Sequence, residues 1–131
     1  MPPAETPQLE GHEIASLLAD AEAVRVGRVT LFADRRVDIG AAPDWNRAPP
    51  AGDIRHVWEL NRHLQLVRLA QAWRISGDRK WIASLRAQVG GWLEQCPPAA
   101  GPNWASPLEL GIRLVNWALV WQLAGGQGGA L

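Results

Sequence analysis

The sequence predicts a mainly α-helical domain of the α/α-toroid or helical-array type, built from repeated hairpins of inner and outer helices. Three observations predict it. Segments 54–75 and 107–124 are apolar on several sides, whereas segment 79–95 between them is apolar along one stripe only. The two buried-type segments begin near residues 54 and 107, a repeat of roughly 50 residues. Only residues 28–39 alternate as extended chain does.

The first helix is predicted from Gly11 or His12 to Val24, with Ile14, Leu17, Leu18 and Ala21 on one face. "GRVTLFADRRVDIG" then reads as a short hairpin or two extended pieces around an Asp34–Arg35 turn. Residues 41–53, "AAPDWNRAPPAGD", form a Pro/Gly-rich loop. The second helix runs from Ile54 to Ile75, with Asp53 as its N-cap. In "SGD", Gly77 suits the left-handed position after a helix and Asp78 suits the next N-cap. The third helix, Arg79 to Gln95, carries a stripe of Trp81, Ile82, Leu85, Val89, Trp92 and Leu93; Arg79, Lys80, Ser84, Arg86, Gln88, Glu94 and Gln95 lie opposite. "CPPAAGPNWA" breaks the chain, and "SPLE" reads as a capping box in which Glu109 reaches back to Ser106. The fourth helix, Pro107 to Ala124, is apolar nearly all round. Residues 125–131 read as a frayed or truncated tail, and residues 1–131 as a single partial domain.

The two buried-type helices have polar N-terminal halves. Glu59 and His63 share a face with Leu66, Ala70 and Trp73; Glu109, Arg113 and Asn116 share one with Val120 and Leu123. Asn61 and Arg62 add to the first group. Inner helices of a toroid run parallel, which would place these polar halves at one wet end. An unpaired charge in an apolar core costs several kcal/mol, so the groups either pair internally or line an open cleft. Glu59–His63 and Glu109–Arg113 have the i,i+4 spacing for pairing. In the loop leading to the fourth helix, Asn103 suits a ligand hydroxyl or the turn backbone, and Trp104 a sugar ring or the helix end.

Composition narrows the function. The chain has 131 residues, 47% hydrophobic, enough for one core. Net charge is zero, so no overall field favours nucleic acid or a membrane surface, and no apolar run approaches the ~18 residues of a membrane span. No secretory signal stands at the start. Eight Trp, one Phe and no Tyr is an unusual aromatic set; indoles fill helical cores and also stack on sugar rings. The single cysteine, Cys96, reads as a helix-end residue. His12, His56 and His63 lack metal-ligand spacing, "HEIAS" is not H-E-x-x-H, and "GGQGG" follows a helix rather than a strand. No metal site or cofactor is predicted.

The pieces "RVTLFADRRVDIG", "PDWNRAP", "WELNRHLQLVRLAQAW", "GWLEQCPPAAGPNWAS" and "LELGIRLVNWALVWQL" together resemble the N-terminal helical domain of the heparinase II/III family of polysaccharide lyases. They occur in the family's order and cover about residues 20–124. The resemblance implies an incomplete (α/α) toroid, followed in the family by the rest of the toroid and a large β-sandwich. It implies an acidic, uronic-acid-containing polysaccharide as partner, cleaved by β-elimination outside the cytoplasm, in periplasm or medium. In that chemistry a base removes the proton α to a uronate whose charge is neutralised. The family's Tyr and His, with an Asn nearby, come later in the chain than these motifs, so no catalytic residue is assigned here. Glu59, Asn61, Arg62, His63, Asn103, Trp104, Glu109 and Arg113 match the motifs and are carried over as cleft-lining or cleft-supporting. Among the arginines, Arg62 and Arg113 are expected to matter more for glycan binding than Arg79 and Arg86. The alternative from another class is a non-enzymatic α-helical binding or scaffold module; the reading frame beyond Leu131 would discriminate the two.

Overall fold

The computed structural model describes residues 10–47 and 53–126. Residues 48–52 of the predicted loop and 127–131 of the predicted tail lie outside the described residues. Helix α1 (Gly11–Arg25) begins where the Glu10 amide donates to the Glu13 carboxylate at 3.0 Å. It buries Ala21 and Val24, with Leu17 and Leu18 packed beside them.

Strands β1 (Arg28–Leu31) and β2 (Arg35–Asp38) pair antiparallel, with Val29 opposite Val37 and Leu31 opposite Arg35. The turn therefore occupies Phe32–Asp34 rather than the predicted Asp34–Arg35, and Phe32 and Ala33 take positive φ values of 51° and 69°. The burial of Val29 and Leu31 explains the shift. A one-residue slip would turn both to solvent, so the core face fixes the register and leaves three residues for the loop. The hairpin is closed by the Ile39 amide, which donates to the Gly27 carbonyl at 2.7 Å.

The predicted second helix is two helices, α2 (Ile54–Asn61) and α3 (Leu64–Ser76). His63 between them is left-handed, with φ 62°. A continuous helix would spend the Asn61 and Arg62 carbonyls on the following turn. At the break they instead accept from Arg113 and Asn116 of the last helix. Residues 59, 63, 66, 70 and 73 thus do not form one unbroken helical face. Asp53 caps α2 as predicted, accepting from the Arg55 amide at 2.9 Å.

Helix α3 ends at Gly77, left-handed with φ 67°, and Asp78 accepts from the Lys80 amide at 3.0 Å to start α4 (Arg79–Gln95). Two residues of α4 exchange sides relative to the sequence pattern. Gln88 is buried, its amide donating to the Ser84 hydroxyl, and Leu93 is exposed because its neighbour Trp92 takes the inward direction. A short 3₁₀ helix (Pro102–Trp104) precedes α5 (Pro107–Leu123). Ser106 stands at the N-cap of α5, but its side chain makes no capping bond and Glu109 turns to Arg62 instead. The capping box does not form, because a guanidinium offers that carboxylate two charge-assisted bonds.

Helix α3 lies at the centre, packed against α1, α4 and α5, in an incomplete α/α toroid with the hairpin on its flank. One cluster joins Leu66, Leu69 and Ala70 of α3 to Ala21, Leu85 and Val120. A second gathers Val29, Leu31, Trp45, Leu60, Trp92 and Cys96 beneath the hairpin. Each large apolar side chain so buried contributes about 1.5–3 kcal/mol. No helix among the described residues is long and apolar enough to cross a membrane.

Candidate functional site

The break between α2 and α3 places the polar residues of three segments together. Arg62 makes a two-point contact with Glu109, Nε to Oε2 at 2.7 Å and Nη2 to Oε1 at 2.9 Å, and its Nη1 donates to Glu59 Oε2 at 2.8 Å. This geometry explains the directions of the ionisation shifts. The hydrogen bonds from Arg62 hold the Glu109 carboxyl below the usual carboxylate range, and Glu109 in turn raises Arg62. Side-chain exposure grades outward, from 4% at Glu109 to 20% at Glu59 and 34% at Arg62.

Behind that pair the cluster is closed. Arg113 donates from Nε to the Asn61 carbonyl at 2.7 Å and from Nη2 to the Asn103 carbonyl at 3.0 Å, with its guanidinium over the Trp92 ring. Neither i,i+4 pair that the spacing allows forms. Arg113 faces carbonyls rather than Glu109, and Glu59 pairs with Arg62 rather than His63. Asn61 donates to the carbonyls of Trp45 and Val57 and accepts from Trp92 Nε1 at 2.7 Å. Asn103 donates to Trp45 O, Asn46 Oδ1 and Cys96 Sγ. Trp104 is partly buried and donates to the Cys96 carbonyl at 3.2 Å. The polar halves of the helices are therefore packed against one another, not laid open to water as a wet end.

His63 sits among three indoles. Its ring stacks on Trp117, meets Trp45 and Trp92 edge-on, and accepts at Nδ1 from Trp117 Nε1 at 2.8 Å. Burial, then the charge of Arg113, lowers its pKa to about 3. With Nδ1 accepting, Nε2 carries the proton. That N–H, Trp45 Nε1 and Asn103 Oδ1 have no hydrogen-bond partner among the described residues. An imidazole that stays neutral and is walled in by indoles is a structural group, not an exposed base.

The eight residues singled out by sequence thus converge on one cluster, with Glu59 and Arg62 at its open edge. The sequence reading left out of the site the residues that complete it: Asn116, noted only as sharing the polar face of the last helix, Trp92, noted only as part of an apolar stripe, and Trp45 and Trp117. Trp45 and Trp92 stand in "PDWNRAP" and "GWLEQ", and Asn116 stands one turn after Arg113, so the signal was present as motif membership. No group of three or more His, Cys, Asp or Glu among the described residues is placed to hold a metal ion.

Fold and cluster together define the class: an α/α-toroid segment whose helices are pinned at one end by a buried Arg–Glu–Asn–Trp network. The chain belongs to the heparinase II/III N-terminus family, whose pattern matches residues 19–124. A heparin-sulfate lyase of Bacteroides thetaiotaomicron is 33% identical over 70 residues, covering 53% of this chain and 10% of that protein. The crystal structure of a mutant of the heparan sulfate lyase HepC from Pedobacter heparinus superposes with a TM-score of 0.73 at 19% identity, covering 93% of this chain and 19% of that one. The chain therefore spans a minor fraction of the length of the relatives it matches.

Proposed function

We propose that this chain is the N-terminal helical portion of a polysaccharide lyase that cleaves acidic, uronic-acid-containing glycans by β-elimination. In that role it supports one wall of the substrate cleft and has no activity alone. The remainder of the toroid and a β-sandwich domain would supply the reacting groups. The observation that carries this reading is the graded cluster. Its members lie within the residues that match the family, its interior ties α2, α3 and α5 together through Arg62–Glu109, Arg113 and Asn116, and its partly exposed charges among the described residues are Arg62 and Glu59. Asn61, His63, Asn103, Glu109 and Arg113 act as supports, fixing the backbone at the break. On this reading the glycan contact is assigned to Arg62, through its partly exposed edge, with Trp104 at the neighbouring 3₁₀ helix. The absence of any tyrosine supports inactivity of the chain by itself.

The test has two arms on the same purified chain. Incubation with heparan sulfate, alginate and hyaluronan, followed by absorbance of the unsaturated uronic product, is expected to give no rise; a steady, enzyme-dependent rise overturns the inactivity. Titration with a heparin-derived tetrasaccharide, against neutral chitotetraose as control, is expected to show binding of the acidic sugar only. Absence of acidic-sugar binding would overturn the glycan reading and favour a scaffold module.

A further inference from the structure

A groove lies apart from the buried cluster, between α1, the hairpin and the start of α3. Two hollows of about 310 and 700 Å³, within the size range of small-ligand sites, share the lining residues Asp20, Ala23, Arg28, Val29 and Thr30 and so run into one another. Strand register decides what the groove presents. Arg28 stands opposite Asp38 and Thr30 opposite Arg36, so these four polar residues occupy the solvent face of the hairpin while Val29 and Leu31 face the core. One hollow reaches Arg36; the other reaches Gln65 and Arg68 on α3 and ends at Glu59, the partner of Arg62.

Several charges in the lining are already answered. Glu22 pairs with Arg25 and Glu59 with Arg62, whereas Asp38 keeps its charge, one oxygen accepting from the Gly40 amide. Arg28 and Arg36 make no ion pair among the described residues, and Arg68 gives one N–H to Gln71 at 3.1 Å while keeping its other donors. What remains is three guanidinium groups interspersed with the Asp20 and Asp38 carboxylates and the Thr30 hydroxyl. A plain polyanion would be repelled by Asp20 and gain nothing from Thr30. An acidic oligosaccharide carries carboxylate or sulfate groups between free hydroxyls and matches both kinds of lining.

We propose that this groove is a contact surface for an acidic oligosaccharide, in which Arg28, Arg36 and Arg68 take its anionic groups and Asp20 and Thr30 its hydroxyls. This rests on the glycan reading above and adds a second surface to it. The Glu59 end joins the groove to the exposed edge of Arg62, so one glycan chain can follow both.

The experiment is calorimetric titration of the whole chain with a heparin-derived tetrasaccharide. Arg28→Gln/Arg36→Gln is expected to weaken binding about tenfold, and Arg79→Gln, outside the groove, to leave it unchanged. Asp20→Ala decides between specific and diffuse attraction. It makes the groove more positive, yet is expected to weaken binding about threefold through the lost hydroxyl contact. Wild-type affinity in the double-arginine variant, or tighter binding by Asp20→Ala, overturns the proposal while leaving the glycan reading intact. No binding by the unaltered chain overturns both. Amide shifts in the unaltered chain supply a check that needs no variant: Ala23, Val29 and Thr30 are expected to move on titration, and their silence while binding is detected overturns the groove.

Discussion

The guanidinium of Arg113 joins main-chain carbonyls from two separate segments, at Asn61 and Asn103, and lies over the Trp92 ring. Replacing it strands two buried acceptors, each costing about 1–3 kcal/mol. Arg113→Gln is therefore expected to lower stability by about 2–4 kcal/mol in urea unfolding, against less than about 0.5 kcal/mol for the exposed Arg79→Gln. His63 gives a pH signature. Its ordinary pKa of 6.5 is lowered to about 3 in the fold, so only the unfolded chain takes up the proton between those values. Its contribution is full above pH 6.5 and declines as pH falls toward 3 by about 1.4 kcal/mol per unit. Glu109, also depressed, acts in the same direction but only below its ordinary 4.5. Between pH 7 and 5 the unaltered chain is expected to lose about 2 kcal/mol more than His63→Asn, whose side chain does not titrate and tolerates the left-handed backbone. Parallel pH slopes for the two proteins would exclude the buried neutral imidazole. At this scale the sequence picked out residues that the fold brings together but not whom they meet. Glu109–Arg113 has ideal helical spacing, yet the partner that wins, Arg62, lies 47 residues away, a pairing no local pattern contains.

At the scale of elements, the caps at Asp53, Gly77 and Asp78 were legible, whereas the Ser106–Glu109 capping box and the helix break were not. Gly77 and Asp78 mark the α3–α4 boundary because a left-handed position and an N-cap each demand particular side chains. The α2–α3 break has neither glycine nor proline, and Leu60 and Leu64 keep helical spacing across it. It is held by long-range bonds from α5 to the carbonyls of Asn61 and Arg62. The hairpin was legible from its alternation, but its turn was misplaced because Phe32 and Ala33, not the turn-prone Asp34, carry the positive φ. Its closure depends on Gly27, with φ +89°, where an added Cβ would run into the Gly40 backbone. Gly40, with φ +73°, has open space at the same point. Gly27→Ala is thus expected to cost clearly more than Gly40→Ala, about 3 against about 1 kcal/mol, the difference being the clash. Equal losses in urea unfolding would mean that the two backbones part freely.

For the whole molecule, the decisive feature is the face of α5 turned away from α3. Sequence showed that this helix is apolar nearly all round. The structure shows which part is uncovered: Leu108, Leu114 and Val115 are 67%, 64% and 62% exposed, with Leu119 and Trp121 beside them. Positions 108, 115 and 119 follow helical spacing along one side, and 114 and 121 widen the stripe. Contiguous apolar surface beyond a few hundred Å² drives association, so the chain is expected to self-associate at micromolar concentration. Val115→Glu/Leu119→Glu places charge in the stripe without touching Arg113, Asn116 or Val120, which face inward. It is expected to shift the chain to monomer in light scattering while leaving the urea midpoint within about 0.5 kcal/mol of its original value. A unaltered chain that is already monodisperse and monomeric would show that the α5 stripe is not adhesive. A variant that becomes monomeric only by unfolding would show that the stripe belongs to the core of the chain itself rather than to its surface.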